Sequence, residues 1–529
     1  MHYLCSKPSN YVFSMLVKTF CAAVTGLEAT TITIEVNISR GVMFHLSGMA
    51  DTAVRESYDR IQVALPHVGF KVPVSNITVN LSPADIRKEG SSYDLPMAIG
   101  ILAANGNLKT DNLKGYMMVG ELGLDGKLKP IRAALPISIL ARKEHFKGLI
   151  VPRENAREAA VVNNLEVYGM NDLKEVIDFL NDPSTATPEF VDTRKEFYEQ
   201  QYSFDLDYAD VRGQENVKRA LEVAAAGGHN IIMIGPPGSG KSMMAKRLPS
   251  ILPPLSLAES LETTQIHSVA GKLGSGTSLI SQRPFRSPHH TISQVGLCGG
   301  TANVQPGEVS LAHNGVLFLD ELTEFSKQTL EVLRQPLEDR FITISRAKYT
   351  VQYPCSFMFV ASTNPCPCGY YGDPTHTCVC TPGQIQRYMG KISGPLLDRI
   401  DIQCEISALS FDDISKSAPG EPSAAIRERV IAARAIQEER FKGIKGVHCN
   451  AQMGERMIHQ FAEPDAKSLQ LLRMGMERLK LSARAYNRIL KVARTIADLD
   501  HSEQVESRHI AEAIGYRNLD RGDWAERGV

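Results

Sequence analysis

The sequence predicts an α/β protein of several domains that ends in an all-helical region, and three observations support this fold class. Alternating apolar residues mark strands followed by amphipathic helices between about residues 31 and 180. An apolar strand then leads into the glycine-rich segment GPPGSGKS and a helix. The chain from residue 416 onward is rich in Ala, Arg, Glu and Leu at helical spacing. At 529 residues, the chain is too long for one ordinary core.

The composition is that of a globular protein, with 43% hydrophobic and 22% charged residues and a formal net charge of −1. Any nucleic-acid binding must therefore come from local basic patches. The ten cysteines show framework spacing only between residues 366 and 380, which favours a reducing compartment. The apolar stretch of residues 11–17 is interrupted by Lys18, and the longest apolar run is too short to span a membrane. We predict a cytoplasmic protein, with residues 1–14 a leader or start-site extension and Met15 an alternative start.

The first domain is predicted over residues 15–180. One face of its strand TITIEVNI carries Ile32, Ile34, Val36 and Ile38. Asp51 is expected to cap a helix whose apolar stripe contains Val54, Tyr58, Ile61 and Leu65. NITVNLS predicts a strand, YDLPMAIGILAANG an apolar helix ending at Gly106, YMMVGELGLDG a strand, residues 137–147 a helix and GLIVP a strand. Residues 181–205 carry prolines, threonines and charges without sustained periodicity, which is typical of a linker.

A nucleotide-binding core is predicted over residues 206–415, where the strand NIIMI precedes G-x-x-x-x-G-K-S. Its glycines let the backbone fold around an anion, so that successive N–H groups face the phosphates. Lys241 is expected to reach the β- and γ-phosphates and Ser242 to hold Mg²⁺. The predicted nucleotide contacts of this loop are Gly235, Pro236, Pro237, Gly238, Ser239, Gly240, Lys241, Ser242 and Met243. The alternative, an accidental glycine-rich turn, is disfavoured by the flanking strand and helix.

Two later strands end in polar residues suited to ATP hydrolysis. GVLFLDE ends in Asp320, which fits a second Mg²⁺ ligand, and Glu321, which fits the base that orients the attacking water. FMFVASTNP ends in Asn364, which is placed to meet the γ-phosphate. Hydrolysis depends mostly on positioning and charge stabilisation, so these few groups suffice. The sequence therefore predicts an ATPase that uses ATP and Mg²⁺, although acids at a sheet edge can also be purely structural.

Four segments together resemble the Mg-chelatase-like AAA+ ATPases, and within them the ComM/YifB branch: DVRGQENVKRALEVAAAGGHNIIMIGPPGSGKS, RPFRSPHHTIS, PGEVSLAHNGVLFLDELTEF and GPLLDRIDI. Near the N-terminus, TAVRESYDRIQVAL and NLSPADIRKEGSSYDLPMAIGILAANG are similar to the Lon-protease-like domain of that branch. The resemblance implies a Lon-like domain of the ribosomal-S5-domain-2 type, an AAA+ P-loop core and a helical lid over residues 416–529. It also implies a homo-hexameric ring.

The resemblance assigns further roles by position. Gly213 and Gln214 would lie near the adenine. Arg399, in LLDRID, resembles the arginine finger that reaches a neighbouring subunit's ATP, and Arg484, in LSARAYNRIL, resembles the sensor-2 arginine of the lid. Read without the family, either arginine could belong to a surface ion pair worth at most about 1 kcal/mol.

Two insertions within the core concern the partner. The segment RFITISRAKYTVQY predicts a β-hairpin with Arg346 and Lys348 near its tip, where similar ring ATPases contact DNA in the central pore. The segment SQRPFRSPHH, expected to belong to the helix-2 insert, offers Arg283, Arg286, His289 and His290 for backbone phosphates. A solvated turn or a contact between subunits is the alternative for both.

The sequence leaves three functions open. The resemblance favours a DNA motor with helicase or branch-migration activity on recombination intermediates during natural transformation. A Mg-chelatase subunit driving metal insertion is the second, disfavoured because the motor subunits of chelatases are expected to lack the Lon-like domain. A Lon-type protease is the third: Ser92 lies near the place of the Lon nucleophile, but Leu135 stands roughly where the lysine base should be.

The segment NPCPCGYYGDPTHTCVC places Cys366, Cys368, Cys378 and Cys380 in two C-x-C pairs beside Asn364. Four thiols at paired spacing in a reducing compartment predict a structural Zn²⁺ site, with His376 a substitute for one ligand. Thiol redox chemistry is the weaker alternative because there is no C-x-x-C motif, and a loop with free thiols is the third.

Overall fold

The computed structural model describes residues 16–274, 276–300, 304–346, 349–374, 376–408, 419–479 and 481–517. The predicted leader and Lys348 lie outside these ranges. The chain divides into two compact units, one made of Met1–Phe197 and Thr264–Ile280, the other of Tyr198–Thr263 and Ser281–Val529. No helix among the described residues combines the length and apolar character needed to cross a membrane.

The first unit is built on a seven-stranded sheet. Its strands are β1 (Val17–Thr25), β2 (Glu28–Ser39), β3 (Phe44–Ser47), β4 (Asn76–Ser82), β5 (Tyr116–Met118), β8 (Gly148–Pro152) and β9 (Glu166–Met170), while β6 (Glu121–Leu122) and β7 (Leu128–Lys129) form a separate hairpin. The strand order is β3-β4-β2-β1-β5-β8-β9. Strands β1, β2 and β4 pair antiparallel, and the other neighbours pair parallel.

The helices of this unit are α1 (Thr52–Arg55), α2 (Ser57–His67), α3 (Asp94–Ala104), α4 (Ala134–Lys143), α5 (Ala156–Ala159), α6 (Leu173–Asn181) and α7 (Thr193–Gln200). The four apolar residues predicted on one face of β2 are all buried. Asp51 caps α1, accepting a hydrogen bond from Val54 N at 2.9 Å. The helix predicted after Asp51 is divided at Glu56 into α1 and α2.

Two further segments differ from the predicted pattern. The strand predicted for YMMVGELGLDG keeps only three residues in the large sheet, because the chain then turns away at Val119 and Gly120 to pair as the β6–β7 hairpin. The segment predicted as a linker contains helix α7, which buries Phe197. One buried aromatic residue among eight gives too weak a period to be seen in the sequence.

The second unit contains a five-stranded parallel sheet in the order β11-β12-β15-β10-β16. Its strands are β10 (Ile231–Ile234), β11 (Phe285–Arg286), β12 (Val316–Leu319), β15 (Met358–Thr363) and β16 (Ile402–Glu405), and a hairpin is formed by β13 (Phe341–Arg346) and β14 (Tyr349–Pro354). Strands β10, β12 and β15 are buried along their whole length, as expected for parallel strands covered on both faces. Ligands of such sheets bind outside the carboxyl ends of the strands.

The core helices of this unit are α8 (Glu215–Gly227), α9 (Lys241–Arg247), α10 (Leu257–Ala270), α11 (Gln294–Cys298), α12 (Glu308–Leu311), α13 (Lys327–Glu331), α14 (Arg334–Asp339), α15 (Pro382–Met389) and α16 (Gly394–Leu397). The C-terminal helices are α17 (Ser423–Arg440), α18 (Glu455–Phe461), α19 (Ala466–Leu479), α20 (Ala483–Leu499) and α21 (Ser507–Gly515). The last residues of α10, from Thr264 onward, belong to the first unit. The predicted α/β class with a helical C-terminal region is confirmed.

Candidate nucleotide site

The phosphate loop, residues 235–240, joins the end of β10 to α9. Gly238 and Gly240 have φ angles of 76° and 88°, which favour glycine over residues with a side chain. Lys241 begins α9, and its Nζ donates hydrogen bonds to Gly235 O at 2.7 Å and Pro236 O at 2.8 Å. The lysine therefore folds back over the loop that it follows.

Lys241 is also linked to the neighbouring strand. Its Nζ lies 3.3 Å from Oδ1 of Asn364, the residue that follows β15. Burial lowers the pKa of Lys241, while the negative charges of Asp320 and Glu321 act in the opposite direction. The structure thus brings together, at the carboxyl ends of the parallel strands, the lysine and the asparagine that the sequence predicted separately.

Ser242 and Asp320 form the second part of the site. Ser242 Oγ donates to Asp320 Oδ2 at 2.5 Å, and Asp320 Oδ1 accepts hydrogen bonds from Ser362 Oγ and from Glu321 N. A hydroxyl beside a carboxylate is a donor set that suits Mg²⁺. Ser362 was not among the residues predicted from the sequence, although its position two residues before Asn364, at the end of the same strand, was an available signal.

Glu321 follows Asp320 in an unusual backbone conformation, with a φ of 52° in the left-handed region. Such a conformation costs on the order of 1–3 kcal/mol in a residue other than glycine and is found most often at functional sites. The Glu321 side chain is 59% exposed, and its Oε2 lies 3.9 Å from His290 Nδ1. It is therefore accessible to water, as a base that orients a water molecule must be.

The remaining predicted contacts lie around the same loop. Ser239 Oγ donates to Pro236 O at 2.8 Å, and Met243 is 40% exposed. Gly213 and Gln214 both have left-handed backbones immediately before α8, and Gln214 Nε2 donates to Ser407 O, beyond the end of β16, at 2.7 Å. Their predicted place near the adenine stays a prediction.

The two predicted arginines pair with acidic residues outside the phosphate loop. Arg399 follows α16, is 12% exposed and pairs with Glu338. Arg484, in the first turn of α20, is 75% exposed and pairs with Asp398, the residue before Arg399. The pair with Asp398 brings Arg484 to the residue that precedes Arg399, and the hydrogen bonds described for the two arginines do not include the phosphate loop.

The four cysteines converge as predicted: their Sγ atoms all lie within 4.8 Å of one another. Cys366 Sγ is 3.3 Å from Cys368 Sγ and 3.7 Å from Cys378 Sγ. The pKa of Cys368 is lowered to about 6: burial disfavours its thiolate, but the N–H groups of Tyr370 and Val379 donate hydrogen bonds to it. Zinc bound at about 2.3 Å from each of four sulfurs would place the sulfurs about 3.8 Å apart, so the spacing fits.

His376 does not belong to this cluster. Its side chain is 62% exposed and stacks on Tyr370 with the ring centroids 4.7 Å apart. The loop also lies against the nucleotide site, since a Cβ added to Gly369 would come within 2.7 Å of the Pro237 ring. The cysteine loop therefore packs directly on the phosphate loop.

The predicted DNA contacts are only partly described. Arg346 ends β13, is exposed and donates to Gly300 O, while Lys348 lies outside the described residues. In the other insertion, the side chain of Arg283 is 16% exposed and contacts Glu259 and three main-chain carbonyls, and Arg286 pairs with Glu308. These two arginines therefore have protein partners, and their predicted contact with phosphates stays a prediction; the ring centroids of His289 and His290 lie 4.1 Å apart.

The predicted protease dyad has no lysine at the expected position. Leu135 is fully buried in α4, and Ser92 is half-buried in the segment that leads to α3. An aliphatic side chain cannot activate a serine hydroxyl.

Three family models match the chain: "Magnesium chelatase, subunit ChlI" over residues 207–414, "Subunit ChlI of Mg-chelatase" over residues 34–155 and "Magnesium chelatase, subunit ChlI C-terminal" over residues 420–517. The N-terminal domain thus matches a description that carries the chelatase name. The presence of this domain therefore does not separate a DNA motor from a chelatase subunit, and a chelatase function is not disfavoured on that ground.

Individual relatives extend over most of the chain. Competence protein ComM of Haemophilus influenzae is 42% identical over 505 residues, which cover 95% of this chain and 97% of the relative. The uncharacterized protein YifB of Escherichia coli is 41% identical over 502 residues, covering 94% and 96%. Lon protease 2 of Bacillus subtilis is 29% identical over 143 residues, 26% of this chain and 25% of the protease.

Proposed function

Because the chain belongs to the Mg-chelatase-like AAA+ ATPases, within the branch that contains ComM and YifB, we propose that it is an ATP-driven motor acting on branched DNA. The convergence of Lys241, Ser242, Asp320 and Asn364 at one edge of the parallel sheet carries the ATPase part of this proposal. The full-length similarity to a competence protein supports the DNA part. Branch migration of recombination intermediates during transformation is the activity that we assign.

Each group of the site has a defined task in this proposal. Lys241 exchanges the carbonyls of Gly235 and Pro236 for phosphate oxygens, which are stronger acceptors because they are charged. Ser242 and Asp320 would hold Mg²⁺, which neutralises phosphate charge when bound. Asn364 orients the γ-phosphate, and the exposed Glu321 carboxylate orients the attacking water.

The active unit proposed is a homo-hexamer. Arg399 has no contact with its own phosphate loop among those described, so we place it toward the nucleotide of an adjacent subunit, with Arg484, which pairs with Asp398, as the sensor-2 arginine of the lid. An arginine that stabilises transition-state charge in this way contributes a factor of roughly 10³–10⁵ in rate. Arg346 and Lys348 at the hairpin are the proposed DNA contacts.

A metal-insertion motor is the second candidate, since the family models carry the chelatase name. Proteolysis is disfavoured because a buried leucine stands where a Lon-type base is expected. We assign the first unit a structural or DNA-binding role instead.

We also propose a structural Zn²⁺ in the four-cysteine cluster. The mutual sulfur distances and the N–H donors to Cys368 support a tetrahedral thiolate site. Because the cluster lies against the phosphate loop, the bound Zn²⁺ would stabilise the nucleotide site and would not form a separate catalytic centre.

The deciding experiment gives the purified protein ATP, Mg²⁺ and a fluorescently labelled four-way junction. We expect ATP-dependent dissociation of the junction that is lost in Lys241→Ala and kept in Lys442→Ala, a matched change at an exposed surface pair. Parallel reactions contain protoporphyrin with chelatase partner subunits, or an unfolded protein. Intact junctions together with metallated porphyrin would refute the DNA proposal in favour of the chelatase, and digestion of the unfolded protein would refute the argument from Leu135.

A further inference from the structure

The segment that carries Arg399 is held on both sides by the lid helix α20. Asp398 and Asp401 flank the arginine, and they pair with Arg484 and Arg488 respectively. The two lid arginines are four residues apart, so they lie one above the other on the same face of α20. Helix α20 therefore contacts the segment through two ion pairs, one before and one after Arg399.

The contact at Asp401 is the buried one. Arg488 Nη1 lies 2.6 Å from Asp401 Oδ1, and Asp401 is only 2% exposed. Its other oxygen, Oδ2, lies 3.3 Å from both His229 Nδ1 and Asn230 N. Burial opposes the charged carboxylate, but the positive charge of Arg488 and the contact with His229 hold the pKa of Asp401 well below its usual range. Removing one partner of such a pair leaves a buried, uncompensated charge.

The main chain of the same segment is fixed as well. Asn230 Nδ2 donates to Arg399 O at 2.8 Å, and Asn230 Oδ1 accepts from Phe359 N at 3.0 Å. On the C-terminal side, Arg517 Nη1 donates to Ile400 O at 2.6 Å. The backbone from which Arg399 projects is thus tied to the β-sheet through one residue and to the C-terminal helical region through the others.

We propose that Arg488 is a positioning residue for Arg399: through Asp401 it sets the place of the finger, so that movement of the lid helix changes the ATP site of the adjacent subunit. This inference rests on the proposed role of Arg399 in a ring. Arg488 itself contacts Asp401 and has no contact with the groups that surround the phosphate loop among those described. Small displacements of such a group matter, since about 1 Å of misplacement can cost roughly 10²-fold in rate.

The test uses the full-length protein and three variants. Arg488→Gln removes the charge but keeps most of the side chain, and Arg473→Gln is the matched control at an exposed i,i+4 pair of α19. We expect Arg488→Gln to bind a fluorescent ATP analogue within about twofold of the wild type, to keep its ring size, and to lose at least tenfold in ATPase rate. Arg488→Lys, which keeps the charge, should recover part of the rate.

Mixed rings separate positioning from general damage. Glu321→Gln subunits keep their own Arg399 but lack the proposed base, so they can serve the intact site of an Arg488→Gln neighbour. The mixture should therefore exceed the summed ATPase activity of the two variants, and a mixture no more active than that sum overturns the inference. If Arg488→Gln does not fold, Asp401→Asn is mixed in the same way and judged by the same criterion.

A second mixture distinguishes failure of this inference from failure of the proposed function. Arg399→Ala combined with Glu321→Gln should also recover activity if the finger acts between subunits. Recovery with Arg399→Ala but not with Arg488→Gln refutes only the role of Arg488. Absence of recovery in both mixtures refutes the finger itself, and this inference with it.

Discussion

The phosphate loop requires glycine at Gly235 because of close packing, and at the next two glycines because of their backbone conformation. A Cβ at Gly235 would lie 2.4 Å from Ile406 O, a main-chain atom beyond β16. Gly238 has open space around it and requires glycine only for its positive φ. The motif therefore contains glycines for two physical reasons, and only Gly235 joins the loop tightly to the neighbouring strand.

Gly235→Ala should consequently destabilise the second unit by about 1–3 kcal/mol, because the added methyl group must displace backbone. The same substitution should weaken nucleotide binding, since the loop moves with the strand end. Urea denaturation and titration with a fluorescent ATP analogue measure the two effects. Gly383→Ala is the control, at a helical position in α15 with nothing within 4 Å of the added atom. If Gly235→Ala has wild-type stability, the main chain at Ile406 moves without a measurable cost in the free energy of unfolding, which would contradict the prediction.

The sequence was sufficient to select the groups at the ends of the strands, and insufficient for those brought in by insertions. Lys241, Asp320 and Asn364 each follow a recognisable apolar strand, and parallel strands end at one edge. His290 reaches Glu321 from a segment whose path is not determined by any local period. The partners of Arg283 could not be predicted from the sequence, because main-chain carbonyls carry no side-chain signal and Glu259 lies 24 residues away.

Among the elements, the cysteine loop connects the four-cysteine cluster with the nucleotide site. The loop begins at Asn364 and returns at Gly369 to pack on Pro237. A loop of this length, rich in Gly, Pro and Cys, has little apolar surface of its own to bury. A metal that joins its two C-x-C pairs would supply the missing stability.

We therefore expect about one zinc per chain, and lower affinity for nucleotide once zinc is removed. Metal content measured by mass spectrometry should fall to background in the Cys366→Ser, Cys378→Ser double variant. The control is the single change Thr381→Ser, at an exposed position next to the cluster, which keeps the hydroxyl that caps α15. A preparation free of metal that binds nucleotide and hydrolyses ATP normally would contradict the proposal.

Elements with a strong period were predictable, and those that depend on distant partners were not. Strands β2 and β4 show an unbroken alternation and appear where predicted. Strand β5 has three residues and exists because β1 and β8 pair on either side of it. Its limits depend on these neighbours, which explains why the longer strand predicted from YMMVGELGLDG was wrong.

At the scale of the whole molecule, the division into units does not follow the order of the chain. Residues Thr264–Ile280 belong to the first unit although Tyr198–Thr263, which precede them, belong to the second. They bring Ser268, whose Oγ donates to Glu158 Oε1 at 2.5 Å. The same carboxylate oxygen accepts from Leu135 N at 3.1 Å, and Asn155 Nδ2 donates to the other. No local pattern in the sequence predicts these hydrogen bonds, because Ser268 and Glu158 are more than a hundred residues apart.

Glu158 should make the stability of the first unit depend on pH. The residue is 7% exposed, and burial raises the pKa of its carboxyl despite its hydrogen bonds. Between the ordinary pKa and this raised value, the folded state binds more protons than the unfolded state, so stability falls as pH rises through that window. Each unit by which the pKa is raised corresponds to about 1.4 kcal/mol.

Glu158→Gln removes the titrating group and keeps an oxygen for Leu135 N, so its urea midpoint should change less between pH 5 and pH 8 than that of the wild type. The stability of the variant relative to the wild type should be greatest at the upper end of this range, where the wild type buries a charged carboxylate. Glu154→Gln, at an exposed position of the same segment, should follow the wild-type curve. Parallel curves for Glu158→Gln and the wild type would mean that the pKa of Glu158 is the same in the folded and unfolded states, and would contradict this prediction.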